Sequence, residues 1–422
     1  MNIRLGVGQC NCGNSRVTEI VVTETDQLIS QAERISAKNY APLPVVISKA
    51  RGVWAWDTEG RRYLDCLSAY SSMSLGHCHP RIVDALTEQA QRLTLTSRAF
   101  HNDRMGPFLE LLCELCQLDM ALPMNTGAEA VETAIKLVRK WGYRVKGVPH
   151  DRAEIIVCRN NFHGRTTTIV GFSSEAAYRE DFGPYGPGFE LIDFGDPDQL
   201  DAAITPNTVA FLVEPIQAEA GIRIPPPGYL SAIRRICSKH GILLVLDEIQ
   251  TGLGRTGKFL AHEHDAGAAP DVLIVGKALG GGVYPVSAVL APSPILGLIQ
   301  PGEHGSTFGG NPLAAAVGKT ALEIIRDEHL SERAAELGDY LLDRLRQIRS
   351  PLVAEIRGRG LLVGIELQPG APSAREICSR LLERGVLTKD THERVVRLAP
   401  PLIIEKDELD WVSDQLEEAL TV

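Results

Sequence analysis

The chain has 422 residues, 44% of them apolar and 23% charged, and a formal net charge of −10. That apolar content excludes a disordered polymer, and the longest unbroken apolar stretches, such as Ile242 to Leu246, fall far short of the roughly 18 residues needed to span a bilayer. No cluster of Lys and Arg offers itself to phosphates, so the acidic balance also argues against nucleic acid as a partner.

At roughly 100–200 residues per domain, the length suits two to four domains or one large domain with satellites. The opening residues lack the apolar core of a signal peptide and carry only Arg4 and Arg16 before Glu19 and Glu24. Residues 1–30 are therefore expected to be a mobile extension, with the cytoplasm as the default location. Nine cysteines scattered through apolar segments agree with a reducing compartment. From Val53 to Leu67, alternating apolar residues around Glu59-Gly60 predict a β-hairpin. Cys113 and Cys116 form a CxxC, but within "FLELLCELCQL" the spacing reads as the buried face of a helix rather than a redox site.

After Pro80, helical patterns such as Val131, Ala134, Ile135 and Val138 alternate with short β-rich runs. The runs are Ile155–Val157, Val209–Val213, Leu243–Leu246 and Val272–Val275, each separated by enough chain for a crossover helix. This order predicts an α/β domain on a largely parallel sheet. From about Ala321 the chain reads as two long charged helices, strand-like "LVAEIRGRGLLVGIEL", a helix around Arg375–Arg384, "RVVRLAPPLII" and a last amphipathic helix, together a smaller α+β unit. The expected division is residues 31–75 joining the small domain, 76–320 the large domain and 321–422 the C-terminal small domain.

Two segments carry the strongest chemical signal. Asp247 closes the buried run in "LLVLDEIQTGLGRTG", at the carboxyl end of a strand where open α/β sheets bind ligands. Lys277 follows Val272–Val275 and is flanked by Gly276 and Gly280–Gly282; a lysine desolvated there has a lowered pKa and a nucleophilic amine. Alone, Lys277 would be read as snorkelling to the surface. A Schiff-base lysine together with a carboxylate for a pyridinium nitrogen is what pyridoxal phosphate requires. Its phosphate needs an anion site, and Asn125-Thr126-Gly127-Ala128 opens a strongly periodic helix whose free N–H groups supply one, although Thr or Asn there is ordinarily just a cap. "HGSTFGGNP", with Thr307, is a second Gly-rich, hydroxyl-bearing loop. In "NNFHGRT", Phe162 could stack on a ring or pack in the core, and Arg165 could clamp a carboxylate or form a surface salt bridge. His77 and His79 in "GHCHP" lack a third ligand at metal spacing, so no metal is expected.

Taken together, Asn125 to Ala130, Phe162 to Arg165, Glu214 to Gln217, Asp247-Glu248 through Gly257, Lys277 and Ser306-Thr307 resemble the class III pyridoxal-phosphate aminotransferases, from about Asn39 to the C-terminus. The resemblance implies fold type I: a large domain with a mostly parallel, seven-stranded-type sheet plus a smaller α+β domain. It implies that Lys277 bears the cofactor and moves the proton, that Asp247 keeps the pyridine nitrogen protonated, and that Gln250 lies near the phenolic oxygen. Phe162 and Ile249 would sandwich the ring. Gly127 and Ala128 would hold the phosphate, with Ser306 and Thr307 at the same cofactor and Thr307 arriving from the partner of a homodimer, which could be part of a higher oligomer.

"NYAPLPV", "LSAYSSMSLGHCHP", "RKWGY", "EPIQAEAG" and "VRLAPPL" narrow the resemblance to members that use ornithine. The implied reaction is L-ornithine plus 2-oxoglutarate to L-glutamate 5-semialdehyde plus L-glutamate. Arg165 would clamp the distal carboxylate, and Arg397 the α-carboxylate of glutamate. Glu219 would neutralise Arg397 while ornithine is bound, and Tyr40 and Tyr70 would contact ornithine's α-amino and α-carboxylate end. Ala218 and His163 sit where members of the family differ. The alternatives are another ω-aminotransferase acting on N-acetylornithine, 4-aminobutyrate or a diamine, a pyridoxal-phosphate aminomutase, and a noncatalytic binding protein.

Overall fold

The computed structural model describes residues 23–421. Residues 1–22 of the expected N-terminal extension lie outside them, but its remainder is no loose tail. Glu24–Ile35 is a helix closed by a capping box, in which Thr23 Oγ1 accepts from Asp26 N at 3.1 Å and the Asp26 carboxylate accepts from Thr23 N at 3.0 Å. Thr25 Oγ1 then donates to Glu59 at 2.8 Å, tying the helix to the hairpin turn.

That hairpin follows as three antiparallel strands, β1 (Ile47–Arg51), β2 (Trp54–Asp57) and β3 (Arg62–Asp65), with Trp54 opposite Leu64 and Gly60 supplying the left-handed turn residue at φ +83°. The next seven strands are β4 (Met120–Met124), β5 (Glu154–Cys158), β6 (Phe189–Ile192), β7 (Thr208–Val213), β8 (Leu243–Asp247), β9 (Val272–Val275) and β10 (Ser287–Ala291). They form one sheet in the order β4-β10-β9-β8-β7-β5-β6, in which only β10 runs against its neighbours. Beyond them come β11 (Val353–Arg359), β12 (Leu362–Leu367), β13 (Val386–Leu387), β14 (Lys389–Thr391) and β15 (Val395–Leu398). β13 pairs in parallel with β3, so a C-terminal strand completes the N-terminal sheet; the other four form a third sheet, β11-β12-β15-β14.

The apolar runs are continuous because the central strands are buried on both faces. Alternate residues feed two separate cores: Leu244, Leu246, Leu273 and Val275 on one side, Leu243, Val245, Val272 and Ile274 on the other. The helix Gly127–Trp141 covers the second face with Val131, Ile135 and Val138. Pro312–Asp327 packs on the first face and runs unbroken through residue 320, where the sequence suggested a domain boundary. Cys116 lies in the core at the end of the helix Met105–Cys116, and burial raises both its thiol and that of Cys113. His77 bonds Asp65 at 2.8 Å, and His79 precedes the helix Pro80–Arg92. Among the described residues, no helix is long and apolar enough to cross a membrane.

Candidate active site

The parallel strands deliver their functional residues to one crevice beyond their carboxyl ends, the usual ligand position in open α/β sheets. Asp247 ends β8, Glu214 follows β7 directly, and Lys277 stands two residues past β9. A cavity of about 210 Å³ opens there, and every residue expected at the cofactor lines it except Ser306 and Thr307. A second cavity of about 570 Å³ is lined by Tyr40, Tyr70, Arg165, Glu219 and Arg397, all the residues expected at the substrate. Phe162, Glu219 and Lys277 border both.

Lys277 has φ +45°, an uncommon conformation for a residue with a side chain, and its amine donates to Gln250 Oε1. Desolvation lowers its pKa from 10.5 to about 8, against the opposing pull of the Glu219, Asp247 and Glu214 carboxylates. At pH 7.5 roughly a quarter of such amines are neutral, against about one in a thousand for an ordinary lysine. Asp247 is 5% exposed; its Oδ1 accepts from Ile249 N at 3.1 Å, and its Oδ2 lies 2.7 Å from His163 Nδ1. Glu214 is buried close to that negative charge, and both burial and Asp247 push its pKa well up. Its Oε2 accepts from Phe162 N at 3.1 Å, which fixes the backbone of the expected stacking residue.

Helix capping leaves room for the expected anion site. Thr126 Oγ1 accepts from Glu129 N at 3.2 Å and the Glu129 carboxylate accepts from Thr126 N at 2.8 Å, so the cap satisfies its own ends. The N–H groups of Gly127 and Ala128, between them, have no protein partner among the described residues and point from a positive helix end. A Cβ at 127 would sit 3.0 Å from Ile249 Cδ1, so a larger residue there would press on that side chain. Gln250 Nε2 is buried and makes no hydrogen bond among the described residues, a donor suited to the phenolic oxygen of a pyridoxal ring. A free backbone nest, a lowered lysine, a carboxylate at the strand end and an orphaned amide donor together fit pyridoxal phosphate.

The two arginines differ in state. Arg165 is exposed and has no carboxylate partner among the described residues; its guanidinium lies 4.1 Å over the Tyr178 ring. Arg397 is 1% exposed and bound to Glu219, NH1 to Oε1 at 2.5 Å and NH2 to Oε2 at 3.3 Å. Burial alone would raise the Glu219 carboxyl, but the Arg397 charge and hydrogen bonds outweigh it and hold it below its ordinary value. Arg397 also lies 5.1 Å over the Tyr70 ring. Tyr70 is presented by an unusual turn in which Ser68, Ala69, Tyr70 and Ser71 all have left-handed φ, between 46° and 71°. L-residues pay roughly 1–2 kcal/mol each for that conformation, and such outliers gather at functional sites. Tyr40 is 66% exposed at the mouth of the larger cavity, and Ser306 Oγ accepts from Asn125 Nδ2 at 2.9 Å beside the capped helix. Thr307 is exposed and borders neither cavity.

Nothing in the local sequence marks a role for His163, Glu214 or Tyr178. His163 and Asp247 are 84 residues apart, and only the sheet brings them together.

The fold and this site define a pyridoxal-phosphate-dependent aminotransferase, and the chain belongs to the class III family: the model for "Aminotransferase class-III" matches residues 35–420. It is 58% identical over 388 residues to an ornithine aminotransferase of Bordetella pertussis, covering 92% of this chain and 94% of that one. Among solved structures, an ornithine aminotransferase from Toxoplasma gondii superposes with a TM-score of 0.93 at 45% identity, covering 94% of each chain. An acetylornithine aminotransferase from Elizabethkingia anophelis superposes with a TM-score of 0.87 at 48% identity, covering 94% of this chain and 98% of that one.

Proposed function

We propose that the protein transfers the δ-amino group of L-ornithine to 2-oxoglutarate, giving L-glutamate 5-semialdehyde and L-glutamate in two alternating half-reactions. The observation that carries this reading is the unequal pair of arginines, one open and one masked by Glu219. Ornithine must offer its terminal amine and keep its α-amino end remote, whereas glutamate must offer its α-amine with a carboxylate beside it. A clamp for that second carboxylate is needed in one half-reaction and harmful in the other. Glu219 provides the change, covering Arg397 for ornithine and releasing it for glutamate, while Arg165 holds the distal carboxylate in both.

When bound, pyridoxal phosphate would supply a carrier for the amino group and a sink for the electron pair left at the reacting carbon. Gly127 and Ala128 would hold its phosphate through N–H groups, Phe162 and Ile249 would enclose its ring, and Gln250 would donate to its phenolic oxygen. Asp247, oriented by His163, would hold a proton on the pyridine nitrogen. Lys277 would hold the cofactor through Nζ and would carry a proton to and from the substrate carbon; a pKa near 8 suits the amine to act as both acid and base near neutrality. Tyr40 and Tyr70 contact the remote α end of ornithine.

We further propose a homodimer, with Thr307 of each chain reaching the partner's cofactor phosphate. In support, Thr307 and Phe308 are exposed on a loop that Asn125 ties to the phosphate-binding helix. The buried thiols Cys66, Cys158, Cys237 and Cys378 suit the reducing cytoplasm as the working compartment.

The three named relatives include both ornithine and acetylornithine aminotransferases, so the direct test is a single-turnover screen of the cofactor-loaded enzyme with ornithine, N-acetylornithine, 4-aminobutyrate and lysine, following loss of its yellow absorbance. Ornithine is expected to react fastest. A much faster response to N-acetylornithine overturns the assignment.

A further inference from the structure

Glu219 does not stand on the large sheet alone. It belongs to a tight loop after β7, closed by paired hydrogen bonds between Gln217 and Arg223 and carrying left-handed residues at Gly221 (φ +94°) and Ile222 (φ +55°). The C-terminal sheet grips this loop at two polar points. Thr391 Oγ1, at the end of β14, donates to the Glu219 carbonyl oxygen at 2.6 Å, and Thr391 is 4% exposed. Arg357, on β11, donates from NH2 to Gly221 O at 2.6 Å and from Nε to Gly221 O and Ile222 O at 3.0 and 3.1 Å. Its NH1 is held by Glu355 and Glu366 at 2.7 Å each. An apolar contact seals the joint: Ile216, Ala218 and Ile222 pack with Leu362 and Ala399 in a small core of their own.

The sheet that grips the loop also carries Arg397, on β15, so both ends of the Glu219–Arg397 pair are referred to one rigid frame. Neither Thr391 nor Arg357 donates to the Glu219 carboxylate; both act on the loop's carbonyls. The backbone is therefore fixed by contacts that leave the carboxylate to its pairing with Arg397.

We propose that Thr391 and Arg357 are positioning residues that set substrate choice: they hold the Glu219 backbone at the distance where its carboxylate masks Arg397, so that the change between half-reactions is a side-chain rotation on a fixed loop. The inference rests on the masking role proposed above for Glu219. Loosening the grip weakens the mask, frees Arg397 more of the time, and favours glutamate over ornithine. A merely structural role would slow both substrates together.

The test compares Thr391→Val, Thr391→Ser, Arg357→Met, Glu219→Ala and the double variant Thr391→Val/Glu219→Ala as cofactor-loaded enzymes. Two quantities are read: the ratio of single-turnover rates for ornithine and glutamate, and the calorimetric affinity for glutarate, an unreactive dicarboxylate. Thr391→Val is expected to lower the ornithine-to-glutamate ratio by roughly threefold to tenfold, the effect of one lost hydrogen bond, and to tighten glutarate binding. Thr391→Ser restores both, Arg357→Met acts in the same direction, and Thr391→Val adds nothing once Glu219 is alanine, because the group it positions is gone. If Glu219→Ala moves the ratio and Thr391→Val does not, the positioning role is overturned and the mask survives. A ratio unmoved by Glu219→Ala overturns the mask, and the positioning role with it.

Discussion

Replacing Glu219 with alanine leaves Arg397 inside the cavity with no counter-charge, and the structure sets the size of the consequence. The pair meets at 2.5 and 3.3 Å, Arg397 is 1% exposed, and the Glu219 side chain retains 22% exposure. A hydrogen bond to a charged group contributes about 1.5–3 kcal/mol, and each 1.36 kcal/mol is tenfold in rate, so the preference for ornithine over glutamate should fall roughly 10- to 150-fold. The direction follows from the geometry: the mask serves ornithine and obstructs glutamate. Stopped-flow measurement of the two half-reactions separately provides the ratio. A second consequence is on stability, because an unpaired buried guanidinium costs about 3–5 kcal/mol in a fully enclosed site; the residual exposure of Glu219 places the loss toward the lower figure. Glutarate, by returning a carboxylate to Arg397, should recover much of it in a denaturant titration. Rates for ornithine and glutamate falling in parallel, with glutarate restoring nothing, would refute the reasoning.

Three further outcomes follow from the same geometry. The folded-state pKa of Lys277, about 8, lies below its unfolded value of 10.5, so the unfolded chain binds more protons between those limits and this group's contribution to stability rises with pH across that window. Cofactor-free Lys277→Met should therefore be more stable than wild type at pH 7, by at most about 3 kcal/mol, with the gap closing between pH 8 and 10.5; a gap independent of pH in paired denaturation curves counts against the desolvated amine. Arg165→Lys replaces a planar fork with a point charge and should raise KM for ornithine and glutamate alike by about tenfold. Thermal stability should be unchanged, because Arg165 has no ion pair among the described residues; an effect on one substrate only would contradict a shared clamp. Tyr70→Ile should erode the preference for ornithine over 4-aminobutyrate, and an unaltered preference in the single-turnover assay would reduce Tyr70 to packing.

What the sequence disclosed depended on the range of the signal. Val272–Val275 and Leu243–Asp247 were legible as strands because both faces are buried and their residues are uniformly apolar. Lys277 and Asp247 were legible with them, since Asp247 closes its strand and Lys277 stands two residues past its own. Met120–Met124, Phe189–Ile192 and Ser287–Ala291 went unread, being short and containing Pro, Glu, Ser or Ala in place of a β-branched run. The capping residues Thr23 and Asp26 were local evidence for the helix at Glu24–Ile35, which the expected extension overlooked. The left-handed turn that presents Tyr70 contains no glycine and gave no warning. Glu219 and Arg397, 178 residues apart, could be paired from the sequence only through family resemblance. Arg357 and Thr391 act on main-chain oxygens more than a hundred residues away, and nothing in their local sequence marks them.

The central claim is that ornithine gives up its terminal amine and not its α-amine. Ornithine carrying heavy nitrogen at the δ position, and separately at the α position, can be turned over with 2-oxoglutarate and the glutamate examined by mass spectrometry. The account predicts labelled glutamate from the δ-labelled substrate and unlabelled glutamate from the α-labelled one. Label arriving from the α position would contradict it.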